Sequence, residues 1–198
     1  MLLTRLSCSS FMRSSSNRII ATRSISIGTD LKTSSNTWQK ARPWFMNDNE
    51  GLNTAKDNAQ TMTSIFKGKT VAVFGVPAPF TGTCTHAHYP PYKQNASAFH
   101  KAGVDTILCY SVTDPYAMQS WAAGMDNDFD QIQFVADVDG AWAKQMGLDN
   151  DYAAVSLSVR SKRFSMLVQD GIVVAFQLVE EAEKDAEVLL EEAQQLLE

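Results

Sequence analysis

The chain has 198 residues, of which 44% are hydrophobic, so it is long enough to bury the core of one domain. Its formal net charge is −5 at pH 7, and an acidic balance of this kind argues against a nucleic acid partner. No apolar run approaches the roughly 18 residues of a membrane span, and the three scattered cysteines do not form a disulfide framework.

The first 28 residues have the composition of an organellar transit peptide. They contain four arginines and many serines but no acidic residue, and polar residues interrupt the apolar core that a secretory signal needs. We therefore predict a mitochondrial transit peptide at 1–28, with a plastid as the alternative destination and a disordered tail as the alternative interpretation. Beyond residue 28, the chain carries 13 Lys and Arg against 22 Asp and Glu, a net charge of −9.

The rest of the chain predicts one α/β domain behind a linker. Residues 29–62 are polar and weakly periodic, which is typical of a linker with short irregular structure. Over 63–198, β and α patterns alternate, and Asp170-Gly171 predicts a tight hairpin, so we expect a mixed central sheet with helices on both faces. The predicted strands lie near 70–76, 104–112, 132–136, 163–169 and 172–178, and the predicted helices near 84–102, 115–124, 139–147 and 185–197.

The turn after the first predicted strand is the most informative part of the chain. Between Val76 and Cys84 it contains Pro, Gly and hydroxyl residues, which suit a turn that opens a helix. Cys84 is therefore expected at a helix N-terminus, where unpaired N–H groups and the macrodipole favour a negative sulfur. Thr81 can turn its hydroxyl toward that sulfur or toward a bound oxygen atom. The alternatives are an inert buried thiol and a threonine that only caps the helix.

A helix terminus alone does not keep a thiol ionised at neutral pH. Lowering a thiol pKa from about 8.5 to roughly 6 takes about 3.4 kcal/mol, whereas a helix terminus supplies about 0.3 to 2 kcal/mol. The difference requires a cation, and the candidate is Arg163 at the start of a predicted strand, although an ordinary exposed charge is the alternative role for it. Cysteine, threonine and arginine together suit peroxide reduction, in which a thiolate becomes a sulfenic acid without any metal or organic cofactor.

These residues resemble the peroxiredoxins, and most of all the mitochondrial members of the type II or type 5 group. The resemblance implies a thioredoxin-like fold and a peroxidase that acts on hydrogen peroxide and organic hydroperoxides. It covers roughly Phe66 to Val179 and rests on Phe66-Lys67-Gly68-Lys69, Val73-Phe74-Gly75-Val76-Pro77, Phe80-Thr81 before Cys84, His88 and Pro90, Ser111-Val112 with Asp114 and Trp121, Ala136-Asp137 with Gly140, Lys162-Arg163-Phe164-Ser165-Met166, and Val168-Gln169-Asp170-Gly171-Ile172-Val173.

Carried over position by position, the resemblance assigns a role to each residue of the turn. It implies that Cys84 is the peroxidatic cysteine and that Thr81 and Arg163 complete its activating set. Pro77 is expected to shield the intermediate from water and, with Thr83, to contact the substrate. The chain departs from the residues that are usual in the family at three positions near the turn, which are Pro79, Thr83 and Pro91.

A second cysteine raises the question of how the sulfenic acid is reduced. Cys109 lies in a β-rich run and is predicted to pack like a small apolar residue; the alternative is a resolving cysteine. A disulfide needs Cα atoms within roughly 7 Å, so resolution by Cys109 would require local unfolding. Cys8 lies in the predicted transit peptide, and residues 180–198 contain no cysteine. We therefore expect an external reductant, either glutathione with glutaredoxin or thioredoxin, and a monomer or weak homodimer as the resemblance implies.

Two histidines and two prolines near the cysteine suggest other possibilities. His86 and His88 suggest a metal site or a hydrolase that uses a Cys-His pair. Two histidines alone do not form a metal site, so His88 is predicted to pack or hydrogen-bond beside the turn. The pair Pro90-Pro91 predicts a partly detached first helical turn that unwinds after oxidation. A peroxide-sensing thiol relay without rapid turnover is the alternative function.

Overall fold

A seven-stranded mixed sheet forms the centre of the computed structural model, which describes residues 24–44 and 55–197. In chain order the strands are β1 (Thr37–Lys40), β2 (Ala59–Thr61), β3 (Thr70–Gly75), β4 (Thr106–Ser111), β5 (Ile132–Ala136), β6 (Asp149–Asp151), β7 (Val159–Ser161), β8 (Phe164–Gln169) and β9 (Ile172–Leu178). The α-helices are α1 (Ala55–Asn58), α2 (Met62–Phe66), α3 (Tyr89–Lys101), α4 (Pro115–Gly124), α5 (Ala141–Gln145) and α6 (Asp185–Leu197). A π-helical turn spans Cys84–His88, and 3₁₀ turns span Leu31–Thr33 and Ala153–Val155.

β3 is a central strand of this sheet. The strand order is β2-β1-β5-β4-β3-β8-β9, while β6 and β7 form a separate two-stranded ribbon. β3, β4 and β5 pair in parallel, β1 and β8 pair antiparallel with β5 and β3, and β9 pairs antiparallel with β8. All six residues of β3 are buried, because helices cover both faces of the sheet, and this explains its uninterrupted apolar sequence.

The sheet separates two apolar core layers, because successive side chains of β3 point to opposite faces. In the first core layer, Ala72 and Phe74 pack with buried residues of α3, α4 and α6. In the second core layer, Val71 and Val73 pack with buried residues of α2 and α5. The prediction of a mixed sheet with helices on both faces is therefore confirmed.

The described parts of the segment 29–62, which are residues 29–44 and 55–62, are not the linker that the sequence predicted. They contain β1 and β2, which pair with each other and join the main sheet through β5. Trp38 of β1 is 0% exposed, and its ring packs edge-on against Phe66 and Trp142. Four residues are too few for alternation to identify a strand, which is why the polar neighbours of Trp38 concealed it. The folded part of the chain thus begins before residue 63.

The end of the predicted transit peptide contacts the domain. Residues 1–23, including Cys8, lie outside the described residues. Ile25 is buried, and its N–H donates to the Met146 carbonyl oxygen at 3.0 Å. The Gly28 N–H donates to the Val173 carbonyl oxygen at 2.8 Å. The predicted segment 1–28 therefore overlaps the folded domain at its C-terminal end.

The tight hairpin predicted at Asp170-Gly171 is confirmed. These two residues connect β8 to β9, and their φ angles of 44° and 82° are both positive, as the hairpin turns that match strand twist require. The other strands and helices predicted between 70 and 197 are also present, whereas the short β6 and β7 were not predicted. Among the helices of the described ranges, none is long and apolar enough to cross a bilayer.

Candidate active site

The backbone between the end of β3 and the cysteine turn is closely packed. A Cβ added at Gly75 would lie 2.0 Å from the ring of Phe164, so the position requires glycine. The Val76 N–H then donates to the Tyr110 carbonyl oxygen at 2.8 Å, which holds the chain beside β4 for one more residue. The backbone turns at Phe80, which has a φ of 63°, and helical backbone follows.

Cys84 lies in the first turn of that helical backbone. The Thr85 N–H donates to the Thr81 carbonyl oxygen at 2.9 Å, so the N–H of Cys84 precedes the first intrahelical hydrogen bond. The positive end of the helix dipole is therefore close to the sulfur. The side chain is nevertheless 1% exposed, because it packs into the first core layer.

The predicted break before the two prolines is not observed. The π-helical turn closes with a hydrogen bond from the Tyr89 N–H to the Cys84 carbonyl oxygen, and α3 follows it directly. Pro90 and Pro91 are the second and third residues of α3, in the first turn of the helix, where proline is tolerated. The wider π turn thus accommodates the prolines without detaching the cysteine.

Arg163 reaches the cysteine from the residue just before β8. Its Nη2 donates to Cys84 Sγ at 3.4 Å, and its Nη1 donates to His88 Nδ1 at 2.9 Å. The guanidinium group is half-buried and is held at two points, so its charge has a fixed position beside the sulfur. Because this position is shielded from water, the charge acts more strongly there than at an exposed surface.

The other predicted site residues lie in the turn before Cys84. The Thr81 hydroxyl donates to the Ala78 carbonyl oxygen at 2.9 Å, which leaves its oxygen lone pairs able to accept a hydrogen bond. Pro77 is buried, and its carbonyl oxygen accepts a hydrogen bond from Ser111 Oγ at 3.4 Å. Thr83 is exposed, and its side chain makes no capping hydrogen bond in the helix that it precedes.

A buried polar network continues behind the guanidinium group to the start of α6. The Nε2 of His88 and the hydroxyl of Tyr92 both donate to Asp185 Oδ2 at 2.6 Å. Ser165 Oγ donates to the other carboxylate oxygen, Oδ1, at 2.6 Å, and Gln177 Nε2 donates to it at 2.8 Å. The side chains of His88 and Asp185 are both 0% exposed. The carboxylate therefore receives hydrogen bonds from the cysteine turn, α3, β8 and β9.

Arg163 and Asp185 together determine the tautomer of His88. A guanidinium group has no acceptor, so Nδ1 of His88 carries a lone pair and Nε2 carries the proton. Burial lowers the pKa of His88 below its usual 6.5 against the opposing effect of Asp185, and the charge of Arg163 lowers it further. Burial alone would raise the pKa of Asp185, but hydrogen bonds from His88, Ser165 and Tyr92 favour the carboxylate and hold that pKa below its usual value. The pair is thus a neutral imidazole beside a carboxylate.

Cys109 lies in the middle of β4, opposite Phe74 of β3. It is 0% exposed and belongs to the same core layer as Cys84. Burial, together with the nearby charge of Cys84, raises the pKa of Cys109 well above its usual value, although Arg163 acts in the opposite direction. Both thiols are free. A protonated thiol inside a strand is a poor nucleophile, so its surroundings favour the packing role.

Two other polar side chains that are close to the site residues in the sequence have different surroundings. His86 is exposed. Arg160, two residues before Lys162, donates instead to the carbonyl oxygens of Leu157 and Val112. In the part of the chain that the structure describes, no group of three or more His, Cys, Asp or Glu residues could hold a metal ion.

Asp185 is the site residue that the sequence analysis missed. It lies 97 residues from His88 in the chain. Its position in α6 carried a signal, because Asp185, Leu189 and Ala193 are spaced by four residues and are all buried. A carboxylate on the apolar stripe of a helix predicts a buried partner but does not identify it.

Comparisons with known proteins show which family the chain resembles. A family model described as Redoxin matches residues 33–190. Peroxiredoxin-2F, mitochondrial, of Arabidopsis thaliana is 40% identical over 163 residues, which cover 81% of this chain and 78% of that protein. The protein of the same name from Oryza sativa subsp. japonica is 41% identical over 159 residues, which cover 78% and 77%.

Solved structures show the same fold. Reduced Prx3 from Vibrio vulnificus in complex with H₂O₂ superposes with a TM-score of 0.71 at 27% identity and covers 86% of this chain and 96% of its own. Peroxiredoxin 5 from Alvinella pompejana gives a TM-score of 0.71 at 21% identity, with 86% and 99% covered. These similarities confirm the predicted thioredoxin-like fold.

Proposed function

Because the chain belongs to the peroxiredoxins of the Redoxin family, which are thiol peroxidases, we propose that it reduces hydrogen peroxide and organic hydroperoxides through Cys84. The observation that carries the proposal is the contact of 3.4 Å between Arg163 Nη2 and Cys84 Sγ in the first turn of a helix. A fixed cation and the helix N-terminus act there on one sulfur, so together they supply more stabilisation of a thiolate than the helix terminus alone.

In the proposed reaction, the thiolate of Cys84 attacks one oxygen of the hydroperoxide, and the O–O bond breaks. The sulfur loses two electrons and becomes a sulfenic acid, while the leaving oxygen gains them, takes up a proton and departs as water or an alcohol. Arg163 lies within reach of both the sulfur and an oxygen bound beside it. Its charge stabilises the leaving oxygen more as negative charge develops there, which lowers the barrier.

The residues of the preceding turn complete the proposed site. Thr81 accepts a hydrogen bond from the bound peroxide, since its own hydroxyl proton is donated to the Ala78 carbonyl oxygen. Pro77 is buried beside the turn and keeps water from the sulfenic acid. Thr83 is exposed at the start of the helix, where it contacts the organic part of a hydroperoxide.

An external thiol reduces the sulfenic acid in this proposal. The thiol displaces water from the sulfenic acid to form a mixed disulfide with Cys84, and a second thiol then releases Cys84 by exchange. Glutathione with glutaredoxin, or thioredoxin, supplies these thiols. Cys109 does not take part, because it is buried in a strand as a protonated thiol.

We also propose that the protein acts in the mitochondrion, with a plastid as the alternative, and that it is a monomer or a weak homodimer. The names of both plant relatives include the mitochondrion, and the arginine-rich N-terminal sequence without acidic residues agrees with such a destination. Fluorescence microscopy of the full chain fused to a fluorescent protein would test the location.

The test of the proposed function is reductant-linked peroxide turnover. Wild type, Cys84→Ser and Cys109→Ser are assayed with hydrogen peroxide and an organic hydroperoxide, first with glutathione and glutaredoxin and then with thioredoxin. We expect many turnovers for wild type and Cys109→Ser, none for Cys84→Ser, and a sulfenic acid on Cys84 by intact mass. Stoichiometric oxidation without turnover with either reductant would instead favour the sensing relay, and equal loss in both variants would make Cys109 a resolving cysteine.

A further inference from the structure

The start of α6 holds a carboxylate whose position calls for an explanation. The side chain of Asp185 is fully buried, and it contacts the cysteine turn directly through its hydrogen bond with His88. A buried carboxylate is costly unless it is fully hydrogen-bonded, and here both oxygens are. Anchoring α6 to the sheet would explain the bonds to Ser165 and Tyr92. It would not explain a direct bond to the imidazole that also contacts the active-site guanidinium.

We propose that Asp185 is a positioning residue for the peroxide reaction, which fixes the His88 tautomer so that the imidazole holds the Arg163 guanidinium on Cys84. The expected effect on peroxide turnover rests on the proposed function. The expected effect on the reactivity of Cys84 rests only on the contacts between Asp185, His88, Arg163 and the sulfur. Asp185 touches neither the sulfur nor the space beside it, so it acts through two other side chains.

The geometry gives the chain of contacts a direction. Asp185 Oδ2 can only accept, so Nε2 of His88 must donate and Nδ1 is left as an acceptor. The acceptor holds Nη1 of Arg163 at 2.9 Å, and the planar, rigid fork of the guanidinium then places Nη2 at 3.4 Å from Sγ. Without the carboxylate, Nδ1 can carry the proton, and an N–H would then face the guanidinium and displace it from the sulfur.

The groups around His88 leave few other ways to hold the guanidinium. Arg163 faces the imidazole from the start of β8, Asp185 from α6, Tyr92 from α3 and Cys84 from the same turn, while Cys109 lies beneath them in β4. Burial and the charge of Asp185 raise the pKa of Tyr92 well above its usual value, so the phenol stays a neutral donor. Among these groups, the carboxylate of Asp185 is the one that accepts a hydrogen bond from the imidazole.

The second core layer offers a matched control. Asp137 is also a buried carboxylate that accepts a hydrogen bond from a buried tyrosine, with Tyr110 Oη 2.7 Å from Oδ2, but its layer lies across the sheet from Cys84. Asp137→Asn and Asp185→Asn make the same chemical change at equally buried sites. A loss that only reflects weakened packing should appear in both variants.

The experiment measures the rate at which iodoacetamide alkylates Cys84, followed by peptide mass, as a function of pH. For Asp185→Asn we expect about tenfold slower alkylation at neutral pH, a shift of the profile to higher pH, and a similar fall in kcat/KM for peroxide. For Asp137→Asn we expect the wild-type profile, even if its melting temperature falls. A wild-type profile for Asp185→Asn, or the same shift in both variants, would overturn the proposal.

Substitution of His88 separates hydrogen-bond direction from packing. His88→Gln keeps one acceptor and one donor in the span between arginine and aspartate, whereas His88→Phe keeps a ring against Phe74 but neither bond. We expect His88→Gln to recover most of the alkylation rate that His88→Phe loses. Equal rates in the two variants would contradict the positioning role.

A measurement on the wild type covers the case in which Asp185→Asn does not fold. Nitrogen-15 NMR of labelled histidine should show His88 as the neutral tautomer with its proton on Nε2, and the Nδ1–H tautomer would refute the proposal. The outcomes also separate this inference from the proposed function. Wild type without peroxide turnover, but with an alkylation profile that depends on Asp185, would remove the function and leave the positioning role.

Discussion

Cys84 and Cys109 are both buried in the same core layer, and their surroundings nevertheless assign them different chemistry. Cys84 is 1% exposed in the first turn of a helix and accepts a hydrogen bond from Arg163. Cys109 is 0% exposed between β3 and β5, where burial raises its pKa well above the usual value. Exposure therefore does not distinguish the thiol that we propose to be reactive from the thiol that we propose to be inert. The difference lies in the direct contact between Arg163 and Cys84 and in the unpaired backbone N–H groups of the helix terminus, whereas Cys109 lies in the middle of a strand.

The two thiols also act on each other. A negative charge on Cys84 raises the pKa of Cys109 further, since two anions in one apolar layer repel. In the proposed reaction the active thiolate thus keeps its neighbour protonated. In this proposal Cys84 is the nucleophile, Cys109 is a packing residue, and the reductant is an external thiol.

The strongest test of this comparison exchanges the two sulfurs one at a time. Cys84→Ser should reduce kcat/KM for hydrogen peroxide at least about 1,000-fold, because a serine hydroxyl is not ionised and cannot be oxidised to a sulfenic acid. Cys109→Ser should retain peroxide reduction and lose only stability, since it places a hydroxyl in an apolar layer. Stopped-flow peroxide reduction measures the first effect and thermal unfolding the second. A comparable loss of rate in both variants would end the distinction between the thiols.

Removal of the cation should have the next largest effect. Arg163→Met keeps the length of the side chain but leaves the sulfur with the helix terminus alone, so kcat/KM should fall about 100-fold. Arg163→Lys should be intermediate, because an ammonium keeps the charge but cannot contact Cys84 and His88 as a planar fork.

Arg160→Met provides the control for Arg163. Arg160 is also half-buried, but its guanidinium contacts the carbonyl oxygens of Leu157 and Val112 rather than a sulfur. Its loss should leave the alkylation rate of Cys84 unchanged. If Arg160→Met and Arg163→Met slow Cys84 equally, the specific contact with the sulfur would not explain the difference between the two cysteines.

A smaller effect is expected at Thr81. Thr81→Val removes the hydroxyl at nearly constant shape, and the loss of one hydrogen bond to the bound peroxide should lower kcat/KM about tenfold. Thr81→Ser should restore most of the rate, because it retains the hydroxyl and its bond to the Ala78 carbonyl oxygen. Iodoacetamide has no O–O group, so its reaction with Cys84 should change less than the peroxide rate in Thr81→Val.

The sequence predicted the part of the site that is local in the chain. Thr81 and Cys84 are three residues apart after a strand, so turn and helix signals alone place them together. The contact with Arg163 was less accessible, because β3 and β8 had to pair before the arginine could reach the sulfur. The requirement for a cation beside the sulfur and the resemblance made that residue a candidate.

What the sequence did not supply are contacts set by packing. Asp185 meets His88 only because α6 docks on the first core layer, and single-sequence periodicity reports burial without naming the neighbour. Trp38 is the corresponding case in the fold, since a four-residue strand with polar neighbours gives too few alternations to detect. In both cases the burial of a residue depends on contacts with an element that is distant in the sequence.

The smallest expected effect concerns His88, the buried imidazole near Cys84. Its protonation should make the unfolding free energy depend on pH, and Cys109 has no such contribution in this comparison. The pKa of His88 is lower in the folded protein than its usual 6.5, so the unfolded chain takes up the proton first. The stability that neutral His88 contributes is therefore complete above about pH 6.5 and is lost as pH falls below it. The pKa of Asp185 is also lowered, but its contribution is lost only below its usual 3.8.

Between pH 7 and pH 5, His88→Phe should therefore lose about 1 kcal/mol less unfolding free energy than wild type does over the same interval. Urea unfolding at each pH measures the difference, with each protein compared with its own value at pH 7. His86→Phe removes an exposed imidazole from the same turn and should keep the wild-type slope. If His88→Phe also keeps that slope, the imidazole is not held neutral in the fold. The donors and acceptors in the hydrogen bonds between Asp185, His88 and Arg163 would then have to be assigned differently.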